Sequence, residues 1–149
     1  YDCRQDGSKI SGPRERWLFN STISGIDESD GCLLIGTNPR KEAPLINSRI
    51  LRQSRNISYQ LGLIGAKCDL TYDYEPLGED PKIVQEILEG KNSFCDKLKL
   101  TKKPMMIIGQ GALTGDKGSE FLDLCIEIAY KFNFINQRRR IKSESFNKS

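Results

Sequence analysis

Cys32-Leu33-Leu34-Ile35-Gly36-Thr37-Asn38-Pro39-Arg40 is an unbroken apolar run closed by glycine and followed by a polar turn. The pattern recurs twice. Leu61-Gly62-Leu63-Ile64 runs into Gly65, and Met105-Met106-Ile107-Ile108 runs into Gly109. A strand with one solvated face alternates apolar and polar residues, so an unbroken run marks a strand buried on both faces, as in a parallel sheet. Three such strands are expected.

Each run is followed by a helical pattern. Pro44 suits a first helical position, and Ile46 and Ile50 share a face at i, i+4. Further on, Asp80 can cap and Pro81 can open a helix. Its stripe is Ile83, Val84, Ile87 and Leu88, and Gly90 ends it. After Gly109, Phe121, Cys125, Ile128 and Phe132 line one face, widened by Leu122 and Ala129. Before the first run, Ile23 and Ile26 suit a short helix or turn, with Asn20 or Ser21 as its cap. Alternating strands and helices imply βαβ units with right-handed crossovers. The fold class is α/β, an open three-layer parallel sheet with flanking helices. Three strands are few for such a sheet, so the domain reads as incomplete, completed by strands from another chain or from sequence outside this one. Residues 1–20 read as an irregular N-terminal segment, 21–133 as the α/β domain, and 134–149 as a basic, mobile tail.

Composition narrows the chemistry. The chain has 149 residues and no histidine, which excludes Ser–His–Asp and Cys–His nucleophile pairs and histidine zinc sites within it. Its net charge is +3, from 23 basic and 20 acidic residues. The excess lies in the tail, where Arg138, Arg139, Arg140, Lys142 and Lys148 face only Glu144. A near-neutral body lacks the electrostatic footprint of a nucleic-acid binder. The five cysteines, Cys3, Cys32, Cys68, Cys95 and Cys125, contain no C-x-x-C pair, which speaks against zinc or cluster ligation by this chain alone. They read as free thiols in a reducing compartment, with Cys32 and Cys125 inside apolar runs. No stretch approaches the roughly 18 apolar residues of a membrane span, and residues 1–10 lack a signal-peptide core.

Four motifs carry potential chemistry. The loop Gly36-Thr37-Asn38-Pro39-Arg40 lies where a doubly wound fold binds phosphate or nucleotide, yet the same residues serve as a strand-to-helix turn. Gly109-Gln110-Gly111-Ala112-Leu113-Thr114-Gly115 departs from dinucleotide spacing and reads as an ordinary connection. Asp69-Leu70-Thr71-Tyr72-Asp73-Tyr74-Glu75 gathers three carboxylates and two tyrosines. It reads as a polar extended segment with packing aromatics rather than a metal or acid–base site. Arg138-Arg139-Arg140 suits phosphate or an acidic partner surface.

Several strings taken together carry a family resemblance. They are Leu18-Phe19-Asn20-Ser21-Thr22-Ile23-Ser24-Gly25-Ile26-Asp27-Glu28-Ser29-Asp30, then Leu33 through Arg40, Glu42-Ala43-Pro44, Asn47-Ser48-Arg49-Ile50, and Asp69-Leu70-Thr71-Tyr72 with Leu77-Gly78. Tyr1 to Gly7 fits the same place. In this order, over about residues 1–133, the chain resembles the C-terminal part of the large iron–sulfur subunit of respiratory complex I, the NADH:quinone oxidoreductase. That resemblance implies the molybdopterin oxidoreductase-like fold. It also implies a scaffold of the peripheral arm that has lost the pterin cofactor. In cofactor-bearing relatives the loop matching Gly36-Thr37-Asn38-Pro39 lies by the pterin nucleotide, and their second strand ends in a carboxylate that holds it. Here Ile64-Gly65-Ala66-Lys67 takes that place without one.

The expectation is therefore a non-catalytic structural module of complex I, a fragment or split piece of that large subunit, supporting NADH-to-quinone electron transfer without its own redox centre. No residue is assigned to catalysis, cofactor binding or metal binding. Iron–sulfur clusters and FMN are expected in neighbouring subunits, with none in this chain. The expected partners are the cluster-bearing part of the same subunit and other peripheral-arm subunits. Nucleic acid is not expected as a partner, and the membrane is reached only through the complex. The implied location is the matrix side of the mitochondrial inner membrane, or alternatively the cytoplasmic face of a bacterial inner membrane. The competing reading is a small nucleotide- or pterin-binding oxidoreductase domain that uses Gly36–Arg40.

Overall fold

The computed structural model describes residues 22–134. The N-terminal segment with Cys3, the candidate caps Asn20 and Ser21, and the basic tail from 135 onward lie outside the described residues. Four strands, β1 (Gly31–Ile35), β2 (Gln60–Ile64), β3 (Glu75–Gly78) and β4 (Pro104–Ile108), form one sheet. Its order is β3-β2-β1-β4, and every pairing is parallel. The helices are α1 (Pro39–Glu42), α2 (Pro44–Ser54), α3 (Lys82–Glu89), α4 (Phe94–Leu100) and α5 (Gly118–Lys131). Short 3-10 helices cover Ser24–Glu28 and Gln110–Leu113.

The three apolar runs are β1, β2 and β4, and β1 at the centre is buried at all five positions. Successive strand side chains point to opposite faces, and the core divides accordingly. Leu33 and Ile35 join Ile64, Val84, Ile87, Phe94, Leu98, Cys125 and Ile128 beneath α3, α4 and α5. Cys32 and Leu34 join Ile26, Ile50, Leu61, Leu63 and Leu70 on the other face, beside α2. These are the three layers that the unbroken runs imply.

The three-strand expectation is corrected to four. β3 carries Glu75-Pro76-Leu77-Gly78, which has no apolar run. It is held as an edge strand by pairing with β2, with a register shift between Leu63 and Ile64. Tertiary pairing overrides a weak local signal here. Helix α4 likewise has no marked sequence signal; Phe94, Cys95 and Leu98 are its buried side chains. Helices α2, α3 and α5 follow the sequence pattern, whereas the four-residue α1 falls in the stretch that reads as a strand-to-helix turn. Asp80 Oδ1 accepts the Lys82 N–H at 2.9 Å, Pro81 precedes the first helical residue, and Gly90 closes α3 with φ 80°.

Two carboxylates fix the frame around β1. Asp27 on the first 3-10 helix pairs with Arg49 of α2, and Gln53 Nε2 donates to the Asp27 carbonyl at 2.8 Å. Asp30 accepts the backbone N–H groups of Lys102 and Lys103 at 2.6 and 2.9 Å, which sets β4 beside β1.

Candidate functional site

A parallel sheet places the loops that follow its strands at one end. A ligand then sits beyond the carboxyl ends, where the strand order reverses. The chain runs outward from β1 to β2 and β3, then returns to place β4 on the other side of β1. The reversal therefore lies between β1 and β4, at Gly36 and Gly109. That crevice is filled by the protein itself. A Cβ on Gly36, whose φ is +57°, would lie 2.6 Å from Ala112 Cβ. A Cβ on Gly109 would lie 2.2 Å from the Gly36 carbonyl oxygen. The Gln110–Leu113 turn is thus packed directly onto the end of β1. Gly36 N–H donates to Ile64 O and Gly109 N–H to Ile35 O, each at 2.8 Å, so the three strand ends are tied together.

The open space lies one strand over, between the loops after β1 and β2. It is a cleft of about 850 Å³ lined by Gly36, Thr37, Asn38, Arg40, Lys41, Glu42, Gly65, Ala66, Lys67, Cys68 and Asp69. Helix α1 begins here after Asn38. The first N–H groups of a helix attract anions, and the chain supplies one of its own. Glu42 Oε1 accepts the Asn38 N–H at 2.9 Å, and Glu42 Oε2 accepts the Thr37 hydroxyl at 3.0 Å. Across the cleft, Arg40 Nη1 donates to Asp69 Oδ2 at 2.6 Å and to the Asp69 carbonyl at 3.3 Å. The Thr71 backbone N–H, with Arg40, holds the Asp69 carboxyl below its ordinary range. Burial and the nearby Asp69 raise the Cys68 thiol, the opposite of an activated nucleophile.

At the end of β2, Gly65, Ala66 and Lys67 line the cleft without a carboxylate, as the sequence implies. Asn38 Oδ1 is buried with no hydrogen-bond partner among the described residues. It is an acceptor as placed, whereas a phosphate group brings acceptors of its own. The Asp69–Glu75 cluster is dispersed. Asp69 pairs with Arg40, and Glu75 with Lys97. Tyr72 OH donates to Asn47 Oδ1 at 2.7 Å and Tyr74 OH to the Cys68 carbonyl at 2.7 Å, so both tyrosines act as packing groups. Gly109–Gly115 serves the β1–β4 closure, and Arg138–Arg140 lie outside the described residues. Glu42 escapes a reading of the sequence. A capping box places its carboxylate three residues after the cap, and Glu42 stands four after Asn38.

The molybdopterin oxidoreductase family model matches residues 1–147. The chain belongs to the molybdopterin oxidoreductase family. Within the family it is similar to the G subunit of NADH-quinone oxidoreductase from Rickettsia conorii, 41% identical over 122 residues that are 82% of this chain and 18% of that protein. The G subunit from Rickettsia bellii is 39% identical over 136 residues, 91% of this chain and 20% of that protein. The NADH-ubiquinone oxidoreductase 75 kDa subunit of Reclinomonas americana is 40% identical over 122 residues, again 82% and 18%. The chain thus spans about a fifth of the length of these relatives. Four parallel strands with helices on both faces are the α/β fold expected of the family.

Proposed function

We propose that this chain is a structural module of the peripheral arm of respiratory complex I, supporting NADH-to-quinone electron transfer without holding a redox centre of its own. It is a fragment or a separately encoded piece of the large iron–sulfur subunit. Its partners are the cluster-bearing part of that subunit and other peripheral-arm subunits. It works at the matrix side of the mitochondrial inner membrane or the equivalent bacterial face. The relatives support membership of the complex. No helix among the described residues is long and apolar enough to cross a membrane.

The observation that carries the non-redox reading is Glu42. Its carboxylate takes the Asn38 N–H and Thr37 hydroxyl, the donors an incoming phosphate would use. An anion entering there would face a fixed negative charge across hydrogen-bond distance, and it would have to strip both donors from it. Ala112 against Gly36 fills the adjacent crevice, and the β2 end offers Lys67 where a pterin-nucleotide site needs an acceptor. These residues do not fit the family's pterin nucleotide.

The test is to tag the chain, purify the native assembly, identify its polypeptides by mass spectrometry, and measure molybdenum and released nucleotide. Complex I subunits with neither metal nor nucleotide assigned to this chain are expected. Stoichiometric molybdenum or nucleotide bound to this chain would defeat the non-redox reading. One long polypeptide containing this sequence would defeat the separately encoded form.

A further inference from the structure

Strand β4 has the sequence of a central strand and the burial of an edge strand. Pro104-Met105-Met106-Ile107-Ile108 is apolar throughout, like β1, yet Met106, Ile107 and Ile108 are only half-buried. β1 has a neighbour on each side, and β4 has one among the described residues. Lys103 O accepts from Asp30 and Gly109 N–H donates to Ile35. Backbone groups alternate sides along a strand, so 103, 105, 107 and 109 face β1, and 104, 106 and 108 face away. The outward N–H and C=O groups of Met106 and Ile108 thus have no strand partner among the described residues.

The opposite edge is managed differently. β3 is four residues long, carries Pro76, has a register shift, and pairs Glu75 with Lys97. Short length, proline, charge and irregular register are the devices that blunt an edge. β4 has only Pro104 at its start.

Topology says where a further strand goes. Helix α2 carries the β1-to-β2 crossover on one face, and α5 packs on the other. For a constant right-handed crossover, changing face reverses the direction of travel. A crossover through α5 therefore lands beyond β4, extending 3-2-1-4 along the doubly wound order. Residues 135–149 contain no unbroken apolar run of the β1 type. The relatives carry about four-fifths of their length beyond what this chain matches.

We propose that the free edge of β4 docks a fifth, parallel strand donated by the part of the large iron–sulfur subunit that this chain does not contain. The proposal rests on the complex I reading for its donor and on the fold alone for its place and direction.

The chain's two methionines, Met105 and Met106, both lie on β4. A diazirine analogue of methionine therefore labels this strand without any substitution. The native assembly is purified through a tag on the chain, irradiated, and its cross-linked peptides identified. Single-amide hydrogen exchange is measured on the same assembly. Met106 and Ile108 amides should exchange about 100-fold or more slowly than in an unstructured peptide of the same sequence. Cross-links should reach large-subunit sequence outside this chain. Near-peptide exchange at both amides overturns the proposal. So do cross-links confined to this chain, to a second copy, or to an unrelated protein. Co-migration with NADH:quinone oxidoreductase activity is scored separately. Its loss with the strand still present defeats the complex I reading alone, and its presence with unprotected amides defeats the strand alone.

Discussion

Gly109→Ala tests whether the end of β4 is packed backbone to backbone onto β1. Gly109 has φ −79°, a value any residue adopts, so the substitution carries no backbone strain of its own. Its whole cost is steric. The new methyl would stand 2.2 Å from Gly36 O, 2.8 Å from Gly36 C and 2.8 Å from Thr37 Cβ. A carbon and a carbonyl oxygen in contact sit about 3.3 Å apart or more, so the two chains must separate by about 1 Å. Overpacking of this kind costs about 1–3 kcal/mol. The same separation stretches the Gly36 N–H bond to Ile64 O and the Gly109 N–H bond to Ile35 O, both 2.8 Å. At about 0.5 kcal/mol for each bond weakened rather than lost, the sum is about 2–4 kcal/mol. Gly111→Ala, two residues on in the same turn, is the control. Its Cβ would meet only Gly36 O at 3.7 Å, an ordinary contact. It should change stability by less than about 0.5 kcal/mol. Urea unfolding of the two variants at equal m-value should therefore separate their midpoints by about 1–2 M. Equal midpoints, or a Gly109→Ala loss below about 0.5 kcal/mol, would refute the closed switch point.

Glu42→Ala leaves the Asn38 N–H and Thr37 hydroxyl without their acceptor and should cost about 0.5–2 kcal/mol, as for a lost helix cap. Glu42→Gln, which still accepts, should lose less than half of that in thermal melts. Tyr72→Phe removes the 2.7 Å bond to Asn47, a residue only 7% exposed, and should cost about 1–3 kcal/mol by denaturant titration. Burial raises the thiols of Cys32 and Cys125 from 9.0 to about 12. The folded state therefore keeps protons that the unfolded chain releases, and stability falls as pH rises above 9. The slope nears 1.4 kcal/mol per pH unit for each thiol. The raised Tyr59 and Tyr72 hydroxyls add to the loss from about pH 10. Urea midpoints that stay flat from pH 8 to 10.5 would contradict this burial.

The legible parts of the fold are those with a local cause. Unbroken apolar runs reveal β1, β2 and β4, because burial on both faces leaves no polar alternation. The Ile83–Leu88 and Phe121–Phe132 stripes reveal α3 and α5, because a helix buries one side at 3.6-residue spacing. The parts that stay hidden are held by distant partners. β3 is a strand only because β2 lies beside it, and α4 folds where Phe94 and Leu98 meet the core of other helices. At the candidate site, the glycine loop after β1 is visible in the sequence. Its closure is not, since Ala112 and Gly109 come from more than 70 residues away.

By itself, the sequence determined the fold class, the three long strands, their direction, the missing histidine chemistry and the family resemblance. Each depends on residue type and spacing within a segment. Only the tertiary structure decided that Glu42 occupies the donors of its own loop, that the β1–β4 crevice is filled, and that β4 is left half-covered at the sheet's edge. Those outcomes depend on which backbone lies against which, and a single chain's local pattern carries no record of that until the strands have been ordered.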